Sequence, residues 1–186
     1  MAILRESWQT LTKPASVITK EGYDNTKKSI IVMEPFERGF GATLGNALRR
    51  VLLSSITGFA VTSVKIENVP HEYSVIDGVK EDVLDIIMNI KSLAITKDSS
   101  TSCVLKLSAN QAGPVYAGSI EVPAGVDIVN KDLLICTLSK GAKINISMNV
   151  ECGAGYSPAE NNHKSDNPVG TIVVDSMFSP VFADNS

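Results

Sequence analysis

The chain has 186 residues, of which 44% are hydrophobic and 20% charged, enough for one sizeable core or two small ones in an ordinary globular composition. With 17 Lys+Arg against 20 Asp+Glu the net charge is −3, so there is no basic excess to hold a duplex, and direct DNA binding is not expected. Cys103, Cys136 and Cys152 form no CxxC pair and His71 and His163 are the only histidines, which argues against a zinc site and for a reducing, cytosolic compartment.

Met1 to Glu6 lack the apolar core of a signal peptide, and no run reaches the ~18 apolar residues of a membrane span. Residues 1–28 are mixed and polar, with turns at Pro14 and Gly22. Ser29 to Met33 (SIIVM) reads as a buried strand. It runs into EPFERGFGATLGNALRRVLLSS, Glu34 to Ser55, where Gly39 and Gly41 mark a turn around Phe40. A helix is predicted over 43–54 with Thr43 as N-cap. Leu44, Ala47, Leu48, Val51 and Leu52 recur at spacings of three and four and make one apolar stripe. Thr43, Asn46, Arg49, Arg50 and Leu53 fall mostly on other faces. Periodicity alone allows two readings. One is a core helix with two solvated arginines; the other buries one stripe and offers a second, mixed surface to a partner, where the planar fork of Arg is favoured.

Thr57-Gly58 reads as a breaker, and Phe59 to Glu67 as a half-buried strand with Thr62, Val64 and Ile66 on one face. His71-Glu72-Tyr73 lies in a loop, where the plain reading is a surface turn with the Tyr packed on the sheet. Glu81 to Leu93 is predicted helical, with Val83, Ile86, Ile87, Ile90 and Leu93 inward and Asp82, Asp85, Asn89 and Ser92 outward. Its acidic first turn and Lys91 in its last turn suit the helix dipole, and Lys91 reads plainly as a solvated helix-end lysine. Strands are predicted at 104–107, 115–117, 120–122, 133–138 and 144–150, with Cys136 packing as a small hydrophobe. Strict alternation from Ile144 to Val150 marks a sheet with one wet face. Gly153 to Ala159 (GAGYSPA) reads as a bulge and turn, not a phosphate loop, since no GK[ST] follows. Glu160 to Asn167 is polar and reads as a mobile loop; Thr171 to Asp175 returns to strand, and Ser179-Pro180-Val181 is a turn.

No catalytic constellation emerges. Glu34 and Glu37 sit in a glycine turn with no histidine or ligand nearby, and Ser54-Ser55 has no His-Asp company. No cofactor or metal is implied, and a small α+β hydrolase would need a pocket and a nucleophile that the sequence does not display.

The string ERGFGATLGNALRRVLLSS resembles the signature of the bacterial RNA polymerase alpha subunit family, in its N-terminal domain. VPHEYSVIDGVKEDVLDIIMNIKSLAI (Val69 to Ile95), GAGYSPA and PVGTIVVDSMFSPV (Pro168 to Val181) follow in the family's order, so the resemblance covers nearly the whole chain. It implies an α+β fold: a discontinuous dimerisation domain at 1–57, strands plus the helix at 43–54, resuming at about 181–186. A mixed α/β, mostly antiparallel-sheet domain is inserted at 58–180. It also implies a non-catalytic assembly scaffold, a structural subunit of a nucleotidyltransferase complex that dimerises and recruits the beta and beta-prime subunits for transcription. Such a chain would be cytoplasmic, and nucleoid-associated as part of the polymerase.

Carried over by position, Arg49, Arg50, Leu53 and Ser54 match the beta-subunit contact, with His71, Glu72 and Tyr73 beside it. Lys91, Val174 and Asp175 match the region facing beta-prime. Phe40, Leu44, Leu48, Val51 and Leu52 would serve the core and the dimer seam with a second alpha chain. Glu151, Cys152 and Ala154 stand where relatives commonly carry basic residues, so no charge-based role passes to the glycine-rich loop. The family pattern continues past residue 186 into a long helix that packs on the dimer mate, and Phe182 to Ser186 do not match it. Self-association weaker than that of the full domain is therefore expected. The alternative reading is a truncated or regulatory alpha-like fragment that binds a large subunit without supporting a complete polymerase.

Overall fold

The structure, a computed structural model, describes residues 12–21, 29–164 and 168–181. The predicted turn at Gly22, the stretch Met1 to Glu6 and the segment Phe182 to Ser186 lie outside the described residues. The chain divides into two compact units, one up to Arg50 and one from Val51 onward.

In the first unit, β1 (Ser16–Glu21) and β2 (Ser29–Glu34) pair antiparallel, from Ser16 opposite Glu34 to Glu21 opposite Ser29. The polar composition before Ser29 gave no sign of β1. β2 is not the buried strand that SIIVM suggests: Ile30 is 47% and Ile31 59% exposed. A two-stranded ribbon has no second layer to cover its faces, whatever the hydropathy of its residues. Helix α1 then runs over Phe40–Ser54, three residues earlier than predicted. Gly39, at φ +87°, makes the left-handed turn that only glycine accepts cheaply, and the helix starts directly after it. Thr43 is thus inside the first turn and is no N-cap; its hydroxyl donates back to Gly39 O at 3.5 Å. No residue of α1 is buried, so among the described residues the apolar stripe belongs to no core.

The second unit holds a six-stranded sheet in the order β5-β9-β3-β4-β7, with β11 also on β3, and every pairing is antiparallel. Its axis is β3 (Thr57–Ile66) against the long β9 (Ile144–Ala154). Around them stand β4 (Ile95–Lys97), β5 (Cys103–Ala109), β7 (Val126–Ile128) and β11 (Thr171–Val173). The pair β6 (Gly113–Tyr116) and β8 (Leu134–Leu138) forms a separate ribbon, as do β10 (Tyr156–Ser157) and β12 (Ser176–Met177). Helix α2 (Val83–Lys91) packs on β3 and β8, and a single helical turn, α3, spans Ala159–Asn162. The architecture is α+β with mostly antiparallel sheets, as expected.

Helix α2 shows why the periodicity was readable. Val83, Ile86, Ile87 and Ile90 are buried, with Leu93 just beyond the helix, against Val64, Leu105, Leu107, Ile135 and Met148. Asp82 caps the helix by accepting from Asp85 N–H at 2.8 Å, which sets its start two residues after Glu81. Glu81 turns inward, where Thr137 N–H donates to it at 2.6 Å and Thr137 Oγ1 at 2.9 Å. Asn89 does not simply face water; its amide donates to Ile135 O at 3.0 Å.

Three other expectations change. Thr57-Gly58 is no breaker but the first part of β3, paired with Ala154 and Gly153. β3 is more deeply covered than a half-buried strand: Val61 to Val64 are four successive buried residues, and a bulge between Val61 and Ser63 breaks the alternation that set Thr62 on one face with Val64 and Ile66. Residues 120–122 make only one bridge, Glu121 to Lys106, whereas β4 and β7, three residues each, were too short for a periodic signal.

Candidate protein-contact surfaces

Helix α1 presents Phe40, Leu48, Val51 and Leu52 exposed, and Leu44 and Leu53 partly covered. Arg49, Arg50 and Ser54 are exposed on the same helix. The surface is mixed, with apolar side chains flanking two guanidinium groups. Both readings that periodicity left open required a buried stripe, and neither is met in full: among the described residues no side chain of α1 is buried, and the apolar residues and the arginines are exposed or only partly covered together.

His71, Glu72 and Tyr73 occupy a tight turn in which Ser74 N–H donates to His71 O at 3.2 Å. Ser74 Oγ and His71 Nδ1 share a hydrogen bond of 3.1 Å, and the His71 and Tyr73 rings lie 6.5 Å apart. Tyr73 is 79% exposed, so its ring stands off the sheet instead of packing on it. Glu72 forms part of the wall of a cavity of about 410 Å³ that His163, Lys164 and Val169 also line.

Lys91 and Asp175, far apart in sequence, come together: Lys91 Nζ donates to Asp175 Oδ1 at 2.6 Å. Lys91 is therefore a paired lysine and not merely a solvated helix end. The Lys91 hydrogen bond, partly opposed by desolvation, holds the Asp175 carboxyl below the usual carboxylate range, and the Tyr156 hydroxyl adds a smaller bond in the same direction. Val174, between this pair and the core, is itself 4% exposed. Its N–H donates to Thr62 O at 3.0 Å, and its carbonyl accepts from Asn162 Nδ2 at 2.7 Å. The Val174 backbone, held on both sides by these bonds and with its side chain buried, thus anchors the segment that carries Asp175. Beside Lys91 lies an apolar cavity of about 220 Å³, walled by Phe59, Leu93, Ile95, Val129, Phe178 and Pro180.

Two residues that sequence reasoning passed over shape this region. Asn162 accepts from Ser157 Oγ at 2.8 Å and donates to Val174 O and to Ser176 Oγ at 3.0 Å. It orders the first part of a run that reads as a mobile loop; residues 165–167 of that run are outside the described residues. Tyr156, in the middle of GAGYSPA, reaches Asp175, and only the pairing of Tyr156 with Met177 across β10 and β12 could have signalled it.

Among the described residues no group of three or more His, Cys, Asp or Glu side chains gathers as a metal site would require, and no helix is long and apolar enough to cross a membrane. Cys136 is buried, and burial, with the nearby Glu81 carboxylate, pushes its thiol up to about 11.

A comparison with protein families matches residues 64–179 to the RNA polymerase Rpb3/RpoA insert domain. The match takes in the antiparallel sheet apart from Thr57 to Ser63 of β3 and runs to the turn at Ser179, with α2 and the Lys91–Asp175 pair inside it.

Proposed function

This chain belongs to the family of RNA polymerase Rpb3/RpoA insert domains and has the role of an RNA polymerase subunit, and we propose that within it the chain is a non-catalytic assembly scaffold. In this reading it dimerises through a discontinuous domain, residues 1–57 resuming at about 181–186. It recruits the beta and beta-prime subunits through α1 and the insert at 58–180, in the cytoplasm of a bacterium. The observation that carries the proposal is α1: fifteen residues without one buried side chain, carrying an apolar stripe and an Arg pair. Such a surface gains little from water and much from a partner.

Arg49, Arg50, Leu53 and Ser54 are assigned to beta, with His71, Glu72 and Tyr73 alongside. Lys91 and Asp175, positioned by Val174, are assigned to beta-prime. Phe40, Leu44, Leu48, Val51 and Leu52 are assigned to the second alpha chain. Energy in such interfaces concentrates in a few anchors, and truncating an interfacial Arg costs ~2 kcal/mol or more. The test is capture of purified beta by this chain beside Arg50→Ala. Capture by the wild type and its loss in a folded Arg50→Ala supports the assignment; equal capture by both removes it.

A further inference from the structure

Gly58 and Gly153 stand directly opposite each other across β3 and β9. A glycine pair within a ladder, here one rung from its end, weakens a sheet unless something needs the space. Here Phe178 needs it. A Cβ on Gly153 would lie 2.7 Å from the Phe178 ring, and one on Gly58 would lie 2.0 Å from Phe178 O. Seated in that slot, Phe178 N–H donates to Gly155 O at 2.8 Å. Gly155, at φ +65°, lies against the end of α1: a Cβ there would sit 3.5 Å from Ser54 O and 4.0 Å from Leu53 O. Both atoms belong to the last turn of α1. The bond Ser55 N–H to Val51 O at 2.9 Å closes that turn from the other side.

We infer that Gly155, held by Phe178 in the Gly58–Gly153 slot, is a positioning residue that fixes the last turn of α1 and so aims Leu53 and Ser54 at the large subunit. The inference rests on the reading of α1 as a capture surface. It gives the glycine-rich loop a task that needs no charge of its own. The left-handed backbone at 155 brings the loop flat against the helix end, and the Phe178 hydrogen bond prevents it from turning away.

The experiment compares the full chain with Gly155→Ala and Gly155→Asn, since Asn tolerates the left-handed region and Ala does not. Three quantities are read: capture of purified beta, thermal unfolding, and amide hydrogen exchange in residues 51–55, which needs no partner. Gly155→Ala is expected to bind beta about tenfold more weakly, roughly the effect of a 1.4 kcal/mol change. Exchange in the last turn should speed up in that variant, with the unfolding midpoint of the insert held, and Gly155→Asn should restore both. Unchanged exchange and capture in Gly155→Ala would overturn the inference. So would equal loss in both variants, or loss only in step with the unfolding midpoint. If the wild-type chain captures no beta, the capture reading of α1 fails, while the exchange comparison still decides whether Gly155 holds the turn.

Discussion

Lys91 and Asp175 are joined by a 2.6 Å ion pair that ties the end of α2 to the segment between β11 and β12. Both side chains keep about a third of their surface in water, so screening limits what the pair contributes. A double-mutant cycle with Lys91→Met and Asp175→Asn should give a coupling of about 0.2–1 kcal/mol at low salt, shrinking as salt is added. The pH dependence has a definite sign. Asp175 is depressed in the folded state, so its contribution is present above the ordinary carboxylate value of 3.8 and is lost as pH falls through the lowered one. Urea unfolding at pH 7 and in that acid window, wild type against Asp175→Asn, checks it.

The buried thiol supplies a second prediction. At pH 8, iodoacetamide should label Cys103 and Cys152, both partly exposed, while Cys136 reacts only after denaturation. Because its thiol is raised from 9.0 to about 11, the stability it lends is complete below 9 and declines as pH rises through about 11. Mass spectrometry of native and denatured samples reads the labelling.

Asp82→Ala should destabilise the insert by about 0.5–2 kcal/mol, because Asp85 N–H loses its acceptor at the start of α2. Asp82→Asn should recover most of this. A denaturation midpoint that does not move in Asp82→Ala would show the cap to be dispensable.

Gly153→Ala places a methyl group 2.7 Å from the Phe178 ring and should cost about 1–3 kcal/mol, the usual range for overpacking. Phe178→Ala removes the obstacle, so the double variant should be less unstable than the sum of the two single ones. Additive losses in thermal unfolding would mean that ring and glycine do not compete for the same space.

The parts of this fold that sequence displays are those with a long enough period. The four buried positions of α2 and the alternation from Ile144 to Val150 are read from spacing alone, and both elements are where they were expected. What spacing hides is tertiary. Gly58 looks like a breaker because its reason for being glycine, Phe178, is remote in sequence. SIIVM looks buried because hydropathy does not say how many layers a strand will have. Thr43 resembles a cap, yet Gly39 starts the helix before it. The candidate surface is legible mainly through long string matches. The string match groups Lys91 with Asp175 in one region, but their ion pair is not legible, since neither residue carries a sign of the other.

The pairing at the centre of the insert also dictates when the domain can form. Thr57 pairs with Ala154 and Ile66 with Ile146, so residues 67–143, the larger part of the insert, lie between the two halves of its main ladder. Such distant contacts require closure of a long loop before they return any stability, which slows folding. A ribosome must therefore deliver β9 before β3 has its partner, and until then Val61 and Val64 remain uncovered. The insert should thus fold late and as one unit, and a chain arrested short of Ile144 should be a target for chaperones rather than a half-built scaffold.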